Sequence, residues 1–391
     1  MKLTNDIVYV GVNDRKIDLF EGQFIVPEGI SYNSYVILDE KIAVMDGVGE
    51  DFADEWLDNI RRAAGGRDPD YLVVQHMEPD HSRNIHKFAE AFPNSKIVAS
   101  EKAWGMMKAF NGFCDPQRSI TVGEGDRLEL GAHTLSFIAA AMIHWPEVIM
   151  SYDSKDKVLF SADAFGKFGA LDYDDPEGWS CEARRYYFGI VGKYGAQVQG
   201  LLKKAAALDI QKIFPLHGPM LTENLSDYIR LYDIWSSYGV ESEGVAIFYT
   251  SIYGNTKEAA LLLAEKLKEF GCPKVALSDL AREDWAEAVE DAFRYGKIVL
   301  AASTYNNGIF PAMRDFINNL IDRNFQNRTI ALMENGSWAP AAAKKMREML
   351  CSCKNLNVLD GCVSIKSAMT PENEKQIEEL RAENEILKNK K

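Results

Sequence analysis

Four metal-grade side chains fall within six residues in the run His76-Met77-Glu78-Pro79-Asp80-His81, directly behind the apolar strand-like stretch Tyr71-Leu72-Val73-Val74. A strand that ends in a short loop can aim imidazoles and carboxylates at one point. The fold must therefore gather strand ends around a common pocket. Two His with two carboxylates make a mixed nitrogen and oxygen set, which suits a pair of borderline or hard divalent ions better than a thiolate-type site. The competing reading is a polar loop whose charges are merely solvated. Only six His occur in the chain and two of them fall here, which favours ligation. The loop reads as half of a dinuclear metal centre.

The other half should come from further strand ends. His144 follows the strand-like run Phe137 to Ile143 and opens His144-Trp145-Pro146-Glu147. Asp163 ends the apolar run Leu159-Phe160-Ser161-Ala162, and His217 follows Ile213-Phe214-Pro215-Leu216. Taken singly, each has an ordinary reading as a core or turn residue, and Asp163 could be a helix cap. Their recurrence at the ends of buried strands is the signal. His86, on an expected helix, and His133, in an expected turn, read as structural.

At 391 residues the chain exceeds the size at which one core stops growing, so two domains are expected. The texture changes across the polar stretch Ser236 to Gly244, which places domains at 1–242 and 243–391. In the first, strand-like runs (24–26, 35–38, 42–45, 71–74, 96–99, 120–122, 134–139, 148–152, 158–161) are interrupted by helices at 51–64 and 85–91. That pattern suggests sheets packed face to face and covered by helices. In the second, strands at 244–249, 297–302, 329–333 and 356–365 alternate with helices at 256–270, 312–323, 341–350 and 372–387. This reads as a doubly wound parallel sheet.

Composition narrows the partners. A formal net charge of −14 argues against nonspecific binding to nucleic acid or an anionic membrane. The first residues hold no apolar core of a signal peptide, and the longest apolar stretches are too short to span a bilayer. A cytoplasmic protein is expected. The six cysteines form no C-x-x-C, which counts against an appended rubredoxin, and the C-x-C of Cys351 and Cys353 reads as packing at a helix end. Buried free thiols in a reducing compartment are expected of all six, Cys114, Cys181, Cys272 and Cys362 included.

The second domain carries its own constellation. Strand Gly244 to Tyr249 runs into Thr250-Ser251-Ile252-Tyr253-Gly254-Asn255-Thr256 and then a helix. Hydroxyls, a glycine and an Asn at a helix N-terminus build a phosphate cradle without any Lys, which fits a monophosphate better than a triphosphate. A plain helix N-cap is the alternative. Thr304-Tyr305-Asn306-Asn307-Gly308 and Asn335-Gly336-Ser337-Trp338 follow later strands, on the edge where open parallel sheets bind ligands. Tyr305 and Trp338 offer flat faces for an isoalloxazine. The cofactor expected is FMN. The first loop resembles the flavodoxin phosphate loop, with Tyr253 where flavodoxins commonly carry Thr.

The metal motif resembles the metallo-β-lactamase superfamily, whose zinc hydrolases carry H-x-H-x-D-H, then a His, a bridging Asp and a last His. Glu78 replaces the second His of that motif. A carboxylate adds negative charge and a harder donor, which favours iron over zinc. That substitution, together with the domain order, resembles the flavodiiron proteins of the A type. The resemblance implies an N-terminal αββα sandwich followed by a flavodoxin-like domain. It implies a first iron on His76, Glu78 and His144, a second on Asp80, His81 and His217, and Asp163 as the bridge. Tyr32 and Tyr194 would lie over the metal pair as proton donors. The implied activity is reduction of dioxygen to water, of nitric oxide to nitrous oxide, or both. Electrons would come through FMN from an external rubredoxin or flavin reductase, in a head-to-tail homodimer or dimer of dimers. The loop at Asn335–Trp338 departs from the flavodiiron pattern, which is richer in Gly and aromatics. A zinc-dependent hydrolase with a regulatory flavodoxin domain is the other reading, and Glu78 counts against it.

Overall fold

Short apolar runs bounded by turn residues such as Tyr35–Ile37, Ala43–Met45, Tyr71–Val74 and Val158–Phe160 become fully buried strands, as expected where both faces of a sheet are covered. The computed structural model describes residues 1–113, 115–173, 175–176 and 178–382. The chain divides into two compact units, Met1–Asp233 and Ile234–Lys391. The division falls just ahead of the polar stretch around Gly239, inside the helix Leu225–Ser236.

The first unit contains two sheets. One runs in the order Ile7–Tyr9, Tyr35–Ile37, Ala43–Met45, Tyr71–Val74, Lys96–Ser100, Ser119–Val122, antiparallel at its start and parallel thereafter. The other runs Arg127–Glu129, Thr134–Ala139, Ile149–Asp153, Val158–Phe160, Lys212–Phe214. Their inner faces meet in one core that includes Tyr35, Val73, Val98, Leu135, Phe137, Phe160 and Phe214. Tyr35 stacks on Phe214 with centroids 5.3 Å apart. The helix Ala53–Ala64 turns Trp56, Leu57 and Ile60 inward and ends on a left-handed Gly65. The unit is the αββα sandwich expected.

In the second unit the five main strands lie in the order Val275–Asp279, Ser242–Tyr249, Tyr295–Tyr305, Thr329–Asn335, Asn357–Ile365, and every neighbouring pair is parallel. Numbered along the chain this is 2-1-3-4-5, the doubly wound flavodoxin order. Two of its elements, the strand Val275–Asp279 and the helix Trp285–Arg294, escaped the sequence reading. The strand is at the sheet edge and only half buried, so it lacks the continuous apolar run that marks its neighbours. The expected C-terminal helix spans Pro371–Ala382. The rest of its expected range, 383–387, lies outside the described residues, as does Cys114. Among the described residues no helix is long and apolar enough to cross a membrane.

Candidate metal centre

The seven expected ligands are buried or nearly so, and they gather into two groups: His76, Glu78, His144 and Asp163, and Asp80, His81 and His217. In each group the ligand atoms lie within 4.8 Å of one another. Asp163 joins the two. Its Oδ2 lies 3.3 Å from His76 Nε2 and 3.0 Å from His144 Nε2, while its Oδ1 lies 3.4 Å from His81 Nε2 and 3.8 Å from His217 Nε2. Glu78 Oε2 completes the first group, 3.2 Å from His76 Nε2 and 3.0 Å from His144 Nε2. In the second group Asp80 Oδ2 is 3.3 Å from both His81 Nε2 and His217 Nε2.

Local sequence explains the placement. Pro79 opens the short helix Pro79–Ser82 and so fixes the turn that presents Asp80 and His81. Asp46 Oδ1 accepts the backbone N–H of Gln75 at 2.7 Å and of His76 at 3.3 Å, holding the start of the loop. Asn33 Nδ2 donates to the carbonyls of Pro215 and Gly218 at 2.8 Å each, holding the loop of His217 from both sides. Gly218 has φ +76, and a Cβ there would sit 2.6 Å from Lys167 Cγ, so the residue after His217 has to be glycine. Non-glycine residues with positive φ cluster here: Asp46 at 52°, Met142 at 66°, Ala162 at 48° and Phe165 at 66°. Such strain persists only where the surroundings over-determine it, and it collects at functional sites.

The donor set calls for cations. His76 Nδ1 lies 2.8 Å from Glu147 Oε1, and His217 Nδ1 lies 2.8 Å from the Ser31 carbonyl oxygen. Each ring therefore donates backwards and turns an Nε2 lone pair inward. His81 Nε2 and His217 Nε2 face each other at 3.1 Å. Both Asp80 carboxylate oxygens, Asp163 Oδ1 and His81 Nδ1 are buried without a hydrogen-bond partner. Burial opposes charge on His144, yet Asp163 and Glu78 outweigh it and raise its pKa to about 9. Burial likewise opposes the Asp163 carboxylate, and His76 and His144 override it, holding its pKa well below the usual range. Protons thus stand where positive ions would. Imidazoles and carboxylates sharing one bridging Asp fit two iron-type divalent ions.

Tyr32 is buried, with its ring 5.9 Å from His217 and 6.4 Å from His81. Burial and then Asp80 push its hydroxyl pKa up, so it keeps its proton. Tyr194 is half-buried at the end of the one-turn helix Gly192–Tyr194, and no described hydrogen bond or ring contact joins it to the ligands. The tyrosine that this part of the chain brings to the site is Tyr186. It is fully buried, 5.6 Å from the His217 ring, and its hydroxyl has no hydrogen-bond partner. Burial first, then Asp163, Glu78 and Asp80, hold that hydroxyl neutral. Sequence reasoning missed Tyr186 and Glu147. The carboxylate in His144-Trp145-Pro146-Glu147, three residues past a ligand and across a Pro turn, was the available signal for Glu147. His86 Nδ1 lies 3.0 Å from the Arg83 carbonyl oxygen and His133 Nδ1 3.0 Å from Asp153 Oδ2, and neither histidine belongs to the two groups formed by the seven expected ligands.

The expected flavin loops all leave the carboxyl edge of the second unit's sheet. Thr250 is fully buried with an unpartnered Oγ1, and Ser251 Oγ accepts the Gly254 N–H at 3.1 Å. Gly254, at φ +100, starts the helix Asn255–Glu269. Thr256 Oγ1 meets Ser303 Oγ at 3.0 Å. An orphaned hydroxyl before a helix N-terminus fits a phosphate. Asn306 and Asn307 both adopt positive φ in the tight turn that pairs Tyr305 with Gly308. Other polar atoms are already engaged. Thr304 Oγ1 accepts the N–H groups of Ala341 and Ala342, the Gly336 N–H donates to Ile365, and Ser337 Oγ accepts from Ser367. Tyr253 and Trp338 are 92% and 89% exposed, which leaves flat aromatic faces beside the cradle.

With this geometry in hand, comparisons with known proteins agree with it. Residues 30–218 match the family model of the ODP family β-lactamases, and residues 246–364 match that of a flavodoxin domain. An uncharacterised protein of Methanocaldococcus jannaschii is 30% identical over 388 residues, covering 97% of this chain and 96% of that one. The anaerobic nitric oxide reductase flavorubredoxin of Vibrio vulnificus is 27% identical over 380 residues, covering 94% of this chain and 75% of its own. Among solved structures, the rubredoxin oxygen:oxidoreductase of Desulfovibrio gigas superposes with a TM-score of 0.89 at 26% identity, covering 98% of this chain and 96% of that one.

Proposed function

The chain belongs to the flavodiiron proteins, and from that membership we propose that it is an oxidoreductase that reduces dioxygen to water, nitric oxide to nitrous oxide, or both. The observation that carries the reading is the split of Asp163's two oxygens between two imidazole sets, with Glu78 in the place where zinc hydrolases put a second His. His76, Glu78 and His144 would hold one iron, Asp80, His81 and His217 the other, and Asp163 both. Thr250, Ser251, Gly254 and the helix start at Asn255 would hold the FMN phosphate, with Tyr305 and Trp338 against the ring. When bound, FMN and the two irons supply the electrons: four with four protons take one dioxygen to two waters, and two with two protons take two nitric oxides to nitrous oxide and one water.

The chain's own residues handle the protons. Tyr186 and Tyr32 keep their hydroxyl protons in a pocket lined by carboxylates. The Tyr186 hydroxyl has no partner of its own, so it is free to donate to a small oxygen-bearing substrate. Buried ring neighbours such as Phe20 and Phe168 keep bulk water from that side of the site. A separate rubredoxin or a flavin reductase is the proposed donor, and the name of the similar rubredoxin oxygen:oxidoreductase supports the first.

Metal and flavin analysis of anaerobically purified protein tests the assignment. Roughly two irons and one FMN per chain are expected from the two ligand sets. Zinc alone, with no reaction toward either gas after anaerobic reduction, would overturn it. Stopped-flow mixing of the reduced protein with each gas separately then decides between the substrates.

A further inference from the structure

The two halves of the site are ligated alike but supported differently. Behind His76 stands Glu147, a fully buried side chain whose Oε1 accepts both the His76 Nδ1–H at 2.8 Å and the Met77 backbone N–H at 2.9 Å. One carboxylate oxygen therefore fixes the ring of one ligand and the peptide that leads to the next, Glu78. Behind His217 stands only a neutral acceptor, the Ser31 carbonyl, at 2.8 Å. His81 Nδ1 has no hydrogen-bond partner among the described residues.

We propose that Glu147 is a positioning residue that makes the two metal positions unequal, tight at His76, Glu78 and His144 and weaker at Asp80, His81 and His217. An ionised carboxylate hydrogen-bonded to the far nitrogen of an imidazole raises the basicity of the near nitrogen and locks its tautomer. A backbone carbonyl locks the tautomer without adding charge. An imidazole with no second partner has neither its tautomer fixed nor its near nitrogen made more basic. Among the ligands each position has one carboxylate of its own and a share of Asp163. Beyond them Glu21 faces Glu78 and Asp46 faces His81, and Glu147 is the carboxylate hydrogen-bonded to the far nitrogen of a ligand imidazole. Its hydrogen bond to Met77 holds the loop as well, so the effect reaches two ligands of that position and none of the other.

The inference rests on reading these seven residues as a metal centre, and the test separates the two. The full chain, FMN-loaded and stripped of metal by a chelator, is titrated anaerobically with Mn²⁺ alone by equilibrium dialysis. Two steps are expected, separated by at least about tenfold, the usual scale of an outer-shell partner. Glu147→Gln keeps the size and shape but not the charge, and it should weaken the tight step by about 10–100-fold while leaving the weak step in place. Glu147→Asp should fall between the two. Retained FMN and an unchanged circular dichroism spectrum certify the fold of each variant. If neither variant folds, the wild-type isotherm still decides, because two equal sites overturn the proposal. Variants that leave both steps unchanged, or weaken both equally, overturn it too while the metal centre stands. No Mn²⁺ binding by the wild type would overturn the metal centre itself.

Discussion

Asp163 is the side chain on which both halves of the centre turn, since each of its oxygens faces a different pair of imidazoles. Asp163→Ala should therefore lose metal at both positions, and Glu78→Ala chiefly at the first, with FMN retained in each. Elemental analysis beside the flavin absorbance reads this directly, and full metal occupancy in Asp163→Ala would contradict the bridge. The tyrosines separate along a different axis. Tyr186→Phe removes only a hydroxyl that no protein group uses, so fold, metal and flavin content should be unchanged. Turnover should fall by about 10²-fold, the lower end of what a positioned proton donor contributes. Tyr194→Phe, at a residue with no contact to the ligands, should retain wild-type turnover. Steady-state gas consumption measured on both variants distinguishes the two positions. Equal losses would remove Tyr186 from its role.

The loops at the sheet edge show why residues of one motif type serve different ends. Thr250 follows the strand Ser242–Tyr249 and Thr304 lies at the end of the strand Tyr295–Tyr305, and both read from sequence as flavin ligands. Thr304 spends its hydroxyl on the N–H groups of Ala341 and Ala342, at the start of the helix Ala342–Leu350, whereas the Thr250 hydroxyl has no partner among the described residues. Thr304→Val should cost about 1 kcal/mol of stability in urea unfolding, as lost caps do, with little change in FMN affinity. Thr250→Val should do the reverse, weakening FMN binding in a fluorescence titration with stability nearly unchanged. The same distinction explains what could be read beforehand. The seven ligands stand at or just after strand ends, and that recurrence made a common site legible, while their division between two ions came from the family resemblance. Glu147 and Tyr186 act across the fold on groups remote in sequence, and only the packed structure brings them to the ligands. The edge strand Val275–Asp279 was hidden for a related reason, since a half-exposed strand has no unbroken apolar signature.

At the scale of the molecule, the seven candidate ligands all lie within Met1–Asp233 and the candidate flavin loops all lie within Ile234–Lys391, so the proposed function would require electrons to pass from one unit to another. Two arrangements would serve: transfer within one chain, or transfer from the flavin of one chain to the metals of another in the head-to-tail dimer that the family resemblance implies. Complementation decides between them. Asp163→Ala gives a chain with flavin and no metal centre, and Thr250→Asp, which sets a carboxylate where the phosphate belongs, gives a chain with metals and no flavin. Each alone should be inactive. Mixed in equal amounts with subunit exchange, half of the dimers are hybrids, and each hybrid joins one intact flavin to one intact metal pair. About one quarter of wild-type activity should return if transfer crosses between chains of a closed two-fold dimer. Transfer within a chain would return none, because no single chain then carries both centres. A mixture that stays inactive while native mass spectrometry shows hybrid dimers would rule out the crossed arrangement. Activity that survives dilution to a measured monomer would do so independently.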